Sequence, residues 1–317
     1  MSLRRIASLS LLACGSATII LACGSRTGLL APEEVTADAT PDRRDGGRDA
    51  DADADAIVRE EDALPGLDVQ KDVPKPPPLG CTDAGATQIY LITSQNTLLA
   101  FYPPTLNFTT IGPINCPGTN GTPFSMGVER SGTAYSVFTD NKLFRVSTAT
   151  ASCQSTPYVP NQLGYGTFGM GYSGDQLGEQ LYVSDNSGGK GLASIDTTSF
   201  KLSLVGPFVP SLPLRCEMTG TSNDELFAYC IKTTGGGVVS QINRKTAQVV
   251  ASSPVNVGTN DDAFAFAYWG GDFYMFNAPL SGPTSVTRYD PVLKTETVVA
   301  KHPSTIVGAG VSTCAPN

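Results

Sequence analysis

One short pattern recurs five times at nearly constant spacing, and that repetition limits what this chain can fold into. Met126-Gly127-Val128, Met170-Gly171-Tyr172, Met218-Thr219-Gly220, Phe266-Ala267-Tyr268 and Ala309-Gly310-Val311 follow at steps of 44, 48, 48 and 43 residues. They are preceded by Phe124-Ser125, Phe168-Gly169, Cys216-Glu217, Phe264-Ala265 and Val307-Gly308. Side chains alternate between the two faces of a strand. Read that way, one face of each copy is mostly large and the other mostly small. A large face pressed on a neighbour's small face suits strands crowded around an axis, so this column is assigned to an innermost strand.

Two further strands recur with it. The first is Ile89-Tyr90-Leu91, Ala134-Tyr135-Ser136, Leu181-Tyr182-Val183, Leu226-Phe227-Ala228 and Phe273-Tyr274-Met275, with aromatic steps of 45, 47, 45 and 47. The second is Phe101-Tyr102, Arg145-Val146, Ser194-Ile195, Gln241-Ile242 and Arg288-Tyr289. It runs into turns such as Asp196-Thr197-Thr198 and Asp290-Pro291. There Asp bonds its own backbone and Pro presets φ. Short alternating runs bounded by Gly, Asn and Asp, without helical periodicity, predict an all-β domain. The strand, Ile-Asp, turn unit resembles β-propeller blades. Five blades over residues 81–317 give about 47 residues each, within the repeat size of propellers. The first blade begins near Gln88 without an innermost strand, and Val307 to Val311 is an innermost strand with none after it. Pairing the two ends closes the ring and removes exposed sheet edges.

Residues 1–80 have a different character. Arg4 and Arg5 precede an apolar stretch ending in Ile20-Leu21-Ala22-Cys23. Positive charge, a short apolar core and a small residue before Cys predict an export signal over 1–23. The stretch Ile6 to Ala22 is marginal for a membrane span. Gly24-Ser25-Arg26-Thr27-Gly28-Leu29-Leu30 resembles the start of lipoproteins from myxobacteria and their relatives. Cleavage of the signal would leave Cys23 first, carrying lipid, with a bilayer as partner; the resemblance implies a Gram-negative cell envelope. Gly rather than Asp after the Cys resembles outer-membrane sorting. Residues 24–80 read as a tether. Residues 31–80 hold 14 acidic and 6 basic side chains, with Asp alternating with Ala at Asp49, Asp51, Asp53 and Asp55 and a Pro cluster from Pro74 to Pro78. Such composition stays disordered and extended. The alternating Asp lack the Gly and Glu of a calcium loop.

Residues 81–317 carry 15 acidic and 12 basic side chains, without a basic cluster. A mildly acidic domain repels phosphate backbones, so nucleic acid is not an expected partner. Six cysteines remain beyond Cys14 and Cys23, and an even number in an exported chain reads as disulfides. Cys216 and Cys230 stand symmetrically about the turn at Ser222-Asn223-Asp224. Cys81 and Cys314 bracket the ring closure. Cys116 with Cys153 follows by elimination.

The residues that could carry chemistry are few. His302 is the only His, so a Ser-His-Asp or Cys-His site would have to use it. Gly164-Tyr165-Gly166-Thr167-Phe168-Gly169 matches a dinucleotide fingerprint in letters, but a strand follows where that reading needs a helix. No cofactor or metal is expected. Glu217 is the one charged entry in the small inner column, a candidate ligand contact or general base, or else a channel residue paired with Arg215 or water. Propeller geometry puts Tyr165, Arg215, Asp185, Lys190, His302 and the adjacent pair Asp261-Asp262 at one end of the ring. Trp269 falls in a tight turn at the other end, where it either stacks on a partner or covers its own hairpin. The expected function is a non-enzymatic envelope scaffold presenting loops to a glycan or protein. The alternatives are a carbohydrate-active hydrolase pairing Glu217 with Asp261 or Asp262, in fold-level resemblance to propeller glycosidases, and a purely structural surface component.

Overall fold

The computed structural model describes residues 81, 87–186, 189–258, 263–279 and 282–317. These belong to one compact unit, Val69–Asn317. The expected lipidation site Cys23 and the stretches expected to form a signal and a tether lie outside the described residues.

Among the described residues, twenty strands form five antiparallel four-stranded sheets. The second blade runs outward from β4 (Pro123–Val128) through β5 (Thr133–Phe138) and β6 (Leu143–Ser147) to β7 (Cys153–Ser155). The third runs from β8 (Phe168–Gly174) through β9 (Glu179–Asp185) and β10 (Leu192–Asp196) to β11 (Lys201–Gly206). The fourth runs from β12 (Arg215–Gly220) through β13 (Leu226–Ile231) and β14 (Gly237–Ile242) to β15 (Val249–Val255). The fifth runs from β16 (Ala263–Trp269) through β17 (Asp272–Ala278) and β18 (Thr284–Asp290) to β19 (Thr295–His302). The first blade is shared between the ends of the domain. Its β1 (Ile89–Thr93), β2 (Thr97–Tyr102) and β3 (Asn107–Pro113) take the last strand, β20 (Ile306–Val311), as their innermost member. Ile89 pairs with Val311 and Leu91 with Ala309, so the ends close the ring as the repeats predict.

The recurrent sequence column is the innermost strand of every blade. These strands neighbour one another in the order β4, β8, β12, β16, β20 and back to β4, which makes a five-bladed β-propeller. Five apolar layers hold it, one between each pair of adjacent blades. The recurring aromatic of the second strand enters these layers, as Tyr135 does between blades two and three and Tyr274 between five and one. Full burial of a large apolar side chain such as Phe101 or Leu91 contributes about 1.5–3 kcal/mol. The load is therefore spread around the ring rather than gathered in one core.

Each turn between the third and outermost strand places a non-glycine residue at positive φ: Leu106, Ala151, Phe200, Ala247 and Lys294. That conformation costs a side-chain-bearing residue roughly 1–2 kcal/mol. In three blades an Asp or Asn offsets the cost. Asp196 Oδ1 accepts from the N–H groups of Thr198 and Ser199, Asn243 Oδ1 from Lys245 and Thr246, and Asp290 Oδ1 from Val292 and Leu293.

Candidate functional site

Close backbone approach shapes the centre of the ring. A Cβ on Gly169 would stand 1.9 Å from the carbonyl oxygen of Cys216, and one on Gly171 would stand 2.6 Å from that of Met218. Small residues on β8 therefore let β12 press against it. This brings Glu217 across to the second blade, where its Oε2 accepts a 2.6 Å hydrogen bond from Ser125 Oγ. The same Ser125 Oγ accepts from the Met170 N–H at 3.1 Å. Glu217 is only 3% exposed. Burial holds its carboxyl well above the usual carboxylate range, against the opposing pull of Ser125, the Met170 N–H and Arg215. A carboxyl so placed favours its protonated form. It works as a tie between blades two and four, with the third blade's inner strand between them.

Arg215 begins β12 at the mouth above this tie, and its guanidinium sits 5.1 Å from the Phe264 ring centroid, a cation–π distance. Cys216 and Cys230 face each other across the β12–β13 hairpin and are bonded. Cys116 is bonded to Cys153, and Cys81 to Cys314. Three bridges suit an extracellular or periplasmic environment. Among the described residues, no helix is long and apolar enough to cross a membrane.

At the hairpin end of the ring the C-terminal segment folds over the blades. Arg130, 5% exposed, donates from Nε to Thr313 Oγ1 and from a terminal nitrogen to the Asp175 carbonyl. Glu179 accepts from the Arg130 backbone N–H at 2.6 Å and from Thr313 Oγ1 at 2.8 Å. Burial raises the Glu179 pKa despite these donors. Gly270 N–H donates to the Pro316 carbonyl, and Asn317 Nδ2 donates to Ser222 Oγ. Residues 313–317 thus contact hairpins of blades two to five. Sequence reasoning missed this cover, because nothing in the repeat marks a tail that leaves it.

The loop end carries the other expected residues. Asp185 and Lys190 form an ion pair at 3.7 Å, and Asp185 borders a cleft of about 140 Å³ lined also by Pro207, Phe208, Leu212 and Leu214. Lys190 lies against Gly164, and Gly189 against Leu214. The β7–β8 and β11–β12 loops therefore share one surface, on which Leu163 is 61% and Leu214 56% exposed.

The remaining expected residues are placed as follows. Tyr165 is fully buried, and its hydroxyl donates to the Gly191 carbonyl at 3.2 Å. His302 ends β19, where its Nδ1 accepts from the Ser304 N–H and its ring lies 4.8 Å from Phe108. Burial lowers its pKa, favouring neutral imidazole. Trp269 ends β16 beside Gly270, donates from Nε1 to the Thr87 carbonyl and meets Tyr102 edge-on. Asp261 and Asp262 lie outside the described residues.

No family model and no curated protein matches this chain. Similar solved structures include hydrazine synthase of Kuenenia stuttgartiensis, at 13% identity over 68% of this chain and 65% of that one, with a TM-score of 0.40. The extracellular domain of a hybrid two-component system from B. thetaiotaomicron is 13% identical over 70% of this chain and 29% of that one, with a TM-score of 0.36. The Dos1 propeller is 11% identical over 72% and 56%, with a TM-score of 0.38. These likenesses concern fold alone.

Proposed function

We propose that this chain is a lipid-anchored protein of the bacterial outer membrane whose propeller binds a glycan or protein partner without catalysis. The observation that carries the binding role is the shared surface of the β7–β8 and β11–β12 loops. Leu163 and Leu214 stand exposed on either side of the Asp185–Lys190 pair, beside a cleft. Loops held by a rigid scaffold are where binding residues concentrate. Exposed apolar side chains flanking a charged pair suit a partner surface. The non-catalytic role is supported by commitments inside the fold: Glu217 to Ser125, Glu179 to Thr313, and His302 to Ser304. The anchor is supported by the N-terminal pattern ending at Cys23 and by the oxidised cysteines.

The test is a glycan array together with a pull-down from envelope extract, using the oxidised chain and a Leu163→Asp/Leu214→Asp variant. A glycan or protein captured by the parent and lost by the variant is the expected result. Capture equal in both would remove this surface as the site. Palmitate labelling abolished by Cys23→Ser tests the anchor separately.

A further inference from the structure

The three most exposed large apolar side chains among the described residues all stand in turns at the hairpin end of the ring. Val292 is 85% exposed, Leu177 81% and Leu293 70%. Leu177 lies in the β8–β9 hairpin of blade three, and Val292 and Leu293 lie between β18 and β19 of blade five. Tyr102 and Leu106, also exposed, bound the β2–β3 turn of blade one. Turns mostly carry Gly, Pro, Asn, Asp or Ser. Nothing in the turn itself asks for apolar side chains here. Where blade five carries Val292-Leu293, the same side-chain-to-backbone turn carries Thr198-Ser199 in blade three and Lys245-Thr246 in blade four.

The backbone at these tips is already paired. Asp175 Oδ1 accepts from the N–H groups of Leu177 and Gly178 at 2.8 and 3.0 Å. Asp290 Oδ1 does the same for Val292 and Leu293 at 2.8 and 2.9 Å. Unpaired backbone groups are what make apolar surroundings costly for a loop. These tips can enter such surroundings with their donors satisfied.

Two observations identify the occupant. First, the tips do not form one patch. Blades five and one are neighbours, and blade three lies across the ring from them. A broad, flat partner reaches both sides at once. Second, the chain enters the domain at this same end. Cys81 is bonded to Cys314, just beyond β20, and the Thr87 carbonyl accepts from Trp269 Nε1 in a hairpin turn. The chain leading back to Cys23 therefore starts from the face that carries the apolar tips.

We infer that the hairpin end seats on a lipid bilayer. Leu177, Val292 and Leu293 enter among the headgroups, and Trp269 with Tyr102 lies at the water boundary, where such rings concentrate. The inference rests on the anchored reading. Once the chain is linked to a bilayer, a second contact is intramolecular, so a few side chains are enough to hold it. The domain has no basic cluster, so neutral headgroups serve and anionic ones add nothing.

Trp269 is the only Trp of the chain, so its fluorescence reports on this end alone. The experiment uses the oxidised full-length chain with Cys23→Ser, held on phosphatidylcholine vesicles by an N-terminal His-tag on a nickel-chelating lipid. Docking is then read without lipid on Cys23, and palmitate labelling of the parent decides the anchor separately. A nitroxide on the lipid headgroup quenches Trp269 where this end meets the surface. The expected result is quenching that falls about threefold or more in Leu177→Asp/Val292→Asp/Leu293→Asp, because binding scales with the apolar area inserted. The Leu163→Asp/Leu214→Asp variant keeps the full quenching. Both variants should melt with the parent, since the replaced side chains are exposed. Equal quenching in the parent and the triple variant would overturn the proposal. So would quenching lost only in Leu163→Asp/Leu214→Asp, which would put the loop end on the bilayer. An unquenched parent would overturn it too and would leave the tips to a protein partner.

Discussion

Ser125 and Glu217 stand 92 positions apart in the chain and on blades two and four, yet their side chains share a 2.6 Å hydrogen bond. The bond joins blades that are not neighbours. It uses the one inner-strand carboxyl where the other blades carry Ser, Gly or Ala. Three consequences of this arrangement and its surroundings can be measured.

Folding shifts the Glu217 pKa upward, so the native state keeps a proton that the unfolded chain has released. Stability from this group is full below the unfolded carboxylate value of about 4.3. It falls as pH rises toward the folded value. Glu179 contributes with the same sign. Glu217→Gln mimics the protonated form and keeps an acceptor for Ser125. It should lie within about 1 kcal/mol of the parent at pH 5. From pH 5 to pH 8 the melting temperature of the variant should improve relative to the parent. A difference that stays constant with pH would show that Glu217 is ionised in the native state.

Gly169→Ala places a methyl group 1.9 Å from a backbone carbonyl at the ring centre. Neither inner strand can retreat without disturbing the next blade. Urea unfolding should show a loss of about 3 kcal/mol or more. Gly178→Ala, with nothing within 4 Å of the added Cβ, is the matched control and should stay within about 0.5 kcal/mol.

The Cys81–Cys314 bridge spans 233 residues, while Cys216–Cys230 spans 14. In the chain-entropy view, closing the longer loop stabilises by about 5 kcal/mol and the shorter by about 3. Replacing each pair by Ser should therefore lower the urea midpoint more for Cys81/Cys314. The reverse order would place the larger effect in the β12–β13 hairpin itself.

The ring was legible because its signal is local and repeated. Gly308 and Gly310 on β20 follow the same small-face rule as Gly169 and Gly171 on β8, so a strand without a successor in sequence could still be assigned to the first blade. The Cys216–Cys230 pairing was legible from symmetry about one turn. The partner of Glu217 was not. Arg215, on the same face two residues earlier, was its expected partner, but the hydrogen bond to the carboxyl comes from Ser125 on a strand two blades away, which no local pattern in the chain records. Tyr165 lies in the loop before β8, as the flanking glycines suggest, but its ring is drawn into the layer between blades two and three. The recurring left-handed positions escaped notice because Leu106, Ala151, Phe200, Ala247 and Lys294 share no side-chain chemistry, only a backbone angle. The cover formed by Arg130, Glu179 and Thr313 depends on three distant segments meeting, which no local pattern records.

The Cys81–Cys314 bridge also determines how tension would travel. A pull applied through the chain preceding Cys81 reaches a covalent bond before it reaches the hydrogen bonds between β1 and β20. It passes directly to the C-terminal segment, which contacts hairpins of blades two to five. Force on the chain preceding Cys81 would thus be shared around the ring instead of peeling the first blade open.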